Sequence, residues 1–341
     1  MKESTSARLH WVDWLRGLAI LLVVFYHAVI ALKAGDMEAP SWAVIVNEIV
    51  APYRMPLLMF LSGMLLTRSL RKPVPEYVGG KLRRIGWPYL VWTAIIVIFM
   101  IGASQLLGDG NYGVGDVPAI VLDPRTYTWY LAYLLLYYLI SLMTTPTIRA
   151  AAVPLLLIVS FLVADGDGWS RLTFLLAFFF MGDLAARFPS VWDRAANHPL
   201  AVAAASVVIA VTVWLSLQGS ATRYGALTLI AVLALLIGTR FVAERVAHLR
   251  VSAPLISVGR ESIVYYTVHW VVIAAGVHLL ARAGVESGDI ALPTLFVAGV
   301  GVSWAVVGLA RRSGLVRLLF AYPSKRSFAR LRSPQTATAQ T

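Results

Sequence analysis

Six ionisable side chains stand inside long apolar runs of this 341-residue chain: His27, Glu48, Arg54, Asp183, His269 and His278. A charge at the centre of a lipid-facing helix costs at least ~2.5 kcal/mol, so such groups are expected to face a bundle interior or a water-filled cavity and to mark a site. The competing reading is a buried structural ion pair, Arg54 with Asp183 or with Glu48. The sharpest spacing is that of Arg16 and His27, eleven residues apart. Eleven residues are close to three helical turns, so the two side chains leave nearly the same face, roughly 16 Å apart along the axis. Arg16 is then placed at a membrane surface, able to snorkel or to hold an anion, and His27 lies beyond the midplane. That pairing suits a long ligand with a charged head and a reactive tip. Imidazole titrates near neutrality, which makes His27 the natural base. Viewed alone, Arg16 is an ordinary positive-inside anchor.

A second set runs through Tyr53-Arg54-Met55-Pro56 to Phe60-Leu61-Ser62-Gly63. Proline removes a backbone donor, which can expose carbonyls to a cavity and make this segment a site wall. The basic clusters Arg68, Arg71, Lys72 and Lys81, Arg83, Arg84 follow. They could bind a polyphosphate, although topology signals and anionic lipid are the commoner reasons for such loops. Tyr127, Trp129 and Tyr130 read as an aromatic belt at a span end.

The elements that must position these residues are transmembrane helices. Hydrophobic residues make up 59% of the chain and charged residues 13%, about half the charged share of a soluble domain. Apolar runs near 14–33, 42–66, 86–107, 128–144, 150–164, 170–187, 199–217, 223–241, 262–281 and 291–310 predict an all-α bundle of about ten spans, with 128–144 and 150–164 the shortest. The formal charge of +12 is not a nucleic-acid footprint, because alternate loops collect 23 of the 29 Lys and Arg residues on the side of both termini. That asymmetry predicts cytoplasmic termini. Residues 17–32 could be the core of a signal peptide, but they run on into Lys33 without a convincing small-residue cleavage site, so an uncleaved helix is expected. The organisation expected is a short cytoplasmic segment 1–13, one membrane domain 14–310 and a basic cytoplasmic tail 311–341. With no cysteine, disulfides and thiolate chemistry are excluded. The sequence does not set the oligomeric state.

The landmarks resemble the acyltransferase-3 family of polytopic membrane O-acyltransferases. They are Arg16-x10-His27 within Asp13-x-Leu15-Arg16-Gly17, then Arg54-Met55-Pro56-Leu57 leading to Phe60-Leu61-Ser62-Gly63, Trp87-Pro88-Tyr89, Trp129-Tyr130-Leu131, and Ser262-Ile263-x-Tyr265-x3-His269. Leu58-Met59 stands where the family often has an aromatic pair, and the extracytoplasmic hydrolase-like domain appended in some relatives is not read here. The resemblance implies a ten-helix domain, in a bacterial cytoplasmic membrane, that moves an acyl group from acyl-CoA, acetyl-CoA in the simplest case. The acceptor implied is a hydroxyl of a carbohydrate or lipid-linked glycan, and no metal is implied. On that reading Arg16, Arg68, Arg71, Arg83 and Arg84 hold the donor's phosphates, and His27 is the base. Arg54 or Tyr266 stabilises the oxyanion, while Trp129, Tyr130, Tyr266 and His269 contact the acceptor. A hydrogen-bonded structural role is the alternative for His269, and Asp183 is expected to be a structural partner rather than an acid. A glycan or lipid flippase is the alternative of another class; an inverted repeat would favour it, and none is seen.

Overall fold

A computed structural model describes residues 10–107, 113–118, 126–163, 168–219 and 224–323. All the secondary structure among them is helical. Ten helices match the ten apolar runs: α1 (His10–Ala31), α2 (Ser41–Gly63), α3 (Trp87–Leu107), α4 (Trp129–Leu142), α5 (Pro146–Leu162), α6 (Gly168–Arg187), α7 (Pro199–Leu217), α8 (Ala226–Val246), α9 (Ser262–Arg282) and α10 (Gly288–Arg312). Eight are long and apolar enough to cross a membrane; α4 and α5 are shorter apolar helices of 14 and 17 residues. The chain is a polytopic helical membrane bundle. Helices satisfy their own backbone groups, which lipid cannot do for them.

The chain divides into two compact units, 1–73 with 136–307, and 74–135 with 308–341. In the first, small residues decide where helices cross. A Cβ on Gly63 would lie 1.9 Å from the Phe179 carbonyl oxygen of α6, and one on Gly182 would lie 2.1 Å from that of Phe60. The pair Gly17 and Gly259 does the same between α1 and the short helix Ala253–Arg260: their Cβ atoms would fall 2.0 Å from the Leu255 oxygen and 1.8 Å from the Asp13 oxygen. Without a hydrophobic drive between helices in lipid, such backbone approach is how α1 and α2 gain packing. The ion pair of Asp13 with Arg260, 3.3 Å, ties the same crossing. Phe174, Phe178, Phe179 and Phe180 of α6 fill the interior, and Val24, Ala28, Ile273, Val277, Leu292 and Leu295 join α1, α9 and α10 in a second core.

In the second unit, the helix Val74–Lys81 runs through a π-turn, Leu82–Gly86, into α3. The segment expected to be only a tail begins as the helix Gly314–Leu318. The indole N–H groups of Trp87 and Trp92 donate to the carbonyls of Leu318 and Leu319 at 2.6 and 3.1 Å, so the apolar start of this segment is docked on α3. Residues 324–341 lie outside the described part.

Candidate functional site

α1 supplies His27 because its apolar run continues unbroken for ten residues past Arg16, carrying the imidazole deep along the helix. There it meets α9. His269 is fully buried, and its Nε2 lies 3.1 Å from His27 Nδ1. Each ring is also anchored to its own helix, His269 Nδ1 at 2.7 Å from the Tyr265 carbonyl and His27 Nδ1 at 2.9 Å from that of Val23. A carbonyl oxygen only accepts, so both Nδ1 atoms carry hydrogen. Neutral His269 then offers Nε2 as a second acceptor, shared with the Val23 carbonyl, to the one His27 Nδ1–H, and the lone pair of His27 resides on Nε2. The order is a directed chain, from His27 through His269 to the backbone of α9. Sequence singled out both histidines but not their contact.

The other side of His27 is lined from α2. The guanidinium of Arg54 lies 4.2 Å from the centre of the Tyr26 ring, and that ring is 5.0 Å from His27, centroid to centroid. Arg54 is buried, and its Nη1 donates to the Leu22 carbonyl and to Asn47 Oδ1, each at 3.4 Å. A fixed positive group beside a base suits a reaction in which negative charge develops on oxygen. Tyr266, buried, stands with its ring 6.2 Å from His269.

Arg16 reaches the end of α2, where its Nη2 donates to the Leu61 carbonyl at 3.4 Å. The carbonyl is available because α2 tightens after Gly63: the Leu65 N–H turns to Ser62, not to Leu61. Arg16 and His27 both point into the bundle, as the spacing predicts, but Arg16 contacts α2 and His27 contacts α9.

The competing reading, a pairing of Arg54 with Asp183 or Glu48, does not form. Asp183, wholly buried, is held by Arg149 Nε at 2.9 Å, by Arg187 Nε at 3.0 Å and by the Thr67 hydroxyl. It is a structural partner, as expected, with different arginines. Glu48 is exposed, not interior: it follows the buried Asn47, about 100° farther round α2 and two turns from the helix start. His278 is partly buried farther along α9.

Of the remaining candidates, Arg68 and Arg71 are exposed just beyond α2, in the unit that contains His27. Arg83, Arg84, Trp129 and Tyr130 belong to the other unit. There Arg83 borders an apolar cavity of about 490 Å³ lined also by Leu82, Trp87, Tyr89 and Tyr322. Trp129 opens α4 and packs edge-on against Tyr130 and Tyr133. Among the described residues no three His, Asp or Glu side chains come together to hold a metal ion.

Comparison with known proteins adds a family match. Residues 9–311 fit the acyltransferase-3 family model, described as an acyltransferase domain. A stretch of 69 residues is 33% identical to the inner membrane protein YcfT of Escherichia coli strain K12, covering 18% of this chain and 19% of that protein. The chain therefore matches about a fifth of the length of that relative. No solved structure matches.

Proposed function

The chain belongs to the acyltransferase-3 family, and we propose that it is a membrane acyltransferase that moves an acyl group, acetyl in the simplest case, from cytoplasmic acyl-CoA to a hydroxyl of a carbohydrate or lipid-linked glycan. The observation that carries the reading is the chain of hydrogen bonds that leaves the lone pair of His27 on Nε2. In the reaction that nitrogen takes the proton of the acceptor hydroxyl as its oxygen attacks the thioester carbonyl. Arg54, or Tyr266, whose ring centre lies 6.2 Å from that of His269, balances the charge on the tetrahedral oxygen. Collapse breaks the carbon–sulfur bond, and the imidazolium returns its proton to the departing thiolate. His269 accepts from His27 Nδ1–H throughout and stabilises the imidazolium.

Arg16, eleven residues from His27, is proposed to hold the phosphate end of the donor, with Arg68 and Arg71 beyond α2. Arg83 and Arg84 are proposed donor contacts on charge alone, and Trp129 and Tyr130 acceptor contacts on motif alone. Cytoplasmic termini, proposed from the asymmetry of basic loops, put these arginines on the donor's side.

The test is purified protein with labelled acetyl-CoA and candidate glycans, following thioester loss and label transfer together. His27→Gln keeps a polar side chain that is no base at neutral pH. It is expected to lose ~10²- to 10⁴-fold in turnover, the usual size of general-base assistance, while remaining folded and inserted. Near-normal turnover in folded His27→Gln at saturating substrates would remove His27 from the chemistry.

A further inference from the structure

A cavity of about 600 Å³ lies where the residues after α2 meet the start of α5 and the end of α6, lined among others by Thr67, Arg71, Thr147, Arg187 and Phe188. Neither histidine borders it. Its charge is unbalanced. Asp183, behind the wall, is neutralised by Arg149, since both side chains are almost wholly buried and Arg149 also donates to the carbonyls of Ser141 and Thr144 at 3.1 and 2.6 Å. Arg187 gives the same carboxylate only its Nε, at 3.0 Å. Among the described residues its two terminal nitrogens have no hydrogen-bond acceptor. Arg71 has no hydrogen bond or ion pair among them at all. Two guanidinium groups in excess of the available carboxylate thus face one cavity.

The form of the charge narrows the ligand. Arg187 is held from behind by Asp183, so its planar fork is oriented before anything binds, the arrangement that favours two-pronged recognition of a tetrahedral oxyanion. Pro146 and Thr147, the first residues of α5, add the positive end of a 17-residue helix. The geometry points to a phosphate-ester site in this cavity, with Arg71 and Arg187 as its charged contacts and the Thr147 hydroxyl as a further donor. The phosphate comes either from a nucleotide or from the headgroup of an anionic phospholipid. Assigning it to the acyl donor rests on the reading above; the site itself does not.

Full-length protein in phosphatidylcholine nanodiscs is titrated with adenosine 3′,5′-bisphosphate, and in parallel the protein from phosphatidylglycerol-containing nanodiscs is weighed by native mass spectrometry for retained lipid. Arg71→Gln leaves the Asp183 network untouched and carries the test; Arg187→Gln is the second variant, checked for folding. If the source is a nucleotide, the bisphosphate binds wild type, and Arg71→Gln weakens it about tenfold or more, the usual loss for one charge-assisted contact. If the source is lipid, phosphatidylglycerol stays on the wild type and leaves with Arg71→Gln. Absence of both ligands from the wild type, or binding that Arg71→Gln does not change, overturns the site. Bisphosphate binding with this dependence in a protein that transfers no acyl group from any acyl-CoA defeats the functional reading and leaves the site standing.

Discussion

Removing the acceptor that His269 presents to His27 should slow the chemistry without weakening donor binding. His269→Leu fills much of the space but cannot take the His27 Nδ1–H, so the imidazolium formed in the transition state loses a charge-assisted hydrogen bond of about 1.5–3 kcal/mol. At 1.4 kcal/mol per tenfold this is roughly a 10- to 150-fold fall in kcat. His269→Gln keeps an oxygen acceptor and is expected to restore turnover to within a few fold, with the donor KM unchanged in both variants. If instead both substitutions raise the acceptor KM equally and spare kcat, His269 contacts the acceptor and does not orient the base. The contact itself was not legible in the sequence. His27 and His269 are 242 positions apart, and local spacing carries no information about which helix lies opposite. Asp183 shows the same limit: chemical complementarity allowed Arg54, but the packing of α6 brings Arg149 and Arg187 to it. For Arg187 there was a local signal, four residues after Asp183 on one helix face.

Two of the glycines in the motifs, Gly17 and Gly63, have a mechanical reason at the scale of elements. Each sits where another backbone comes too close for a Cβ. Gly63→Ala would press on the main chain of α6, which cannot swing aside as a side chain can. A destabilisation of about 1–3 kcal/mol, the range for overpacking, is expected as a lower midpoint of thermal unfolding in detergent. An unchanged midpoint would mean that α2 and α6 separate at little cost. The spans themselves were readable from apolar run length, because the membrane forces every crossing segment to be helical and long. What composition could not show was the interruption after Gly63, which frees the Leu61 carbonyl for Arg16, or the π-turn ahead of α3. Glu48 misled for a related reason: a charge in an apolar run was read as interior, yet nothing in the run says which side of α2 it occupies.

For the whole molecule, the orientation proposed from basic loops is open to direct test. The chain lacks cysteine, so Lys72→Cys and Asp116→Cys each introduce one thiol. An impermeant reagent on intact cells is expected to label Asp116→Cys at once and Lys72→Cys only after permeabilisation; the reverse pattern would invert the topology.

The buried pair of Asp183 and Arg149 also bears on how the protein is made. Arg149 lies in the first turn of α5 and Asp183 in the last turn of α6, so consecutive helices that run in opposite directions bring the two charges to the same end. Inserted alone, α5 would present lipid with an uncompensated Arg149, whereas α6 carries Arg187 beside Asp183 on its own face; leaving one partner of a buried pair unmatched costs about 3–5 kcal/mol. Entering together as a hairpin, the Arg149 guanidinium meets the Asp183 carboxylate at that depth. Biogenesis of this bundle thus favours α5 waiting beside the translocation channel for α6, which also relieves the short α5 of having to partition into the bilayer on its own apolar length.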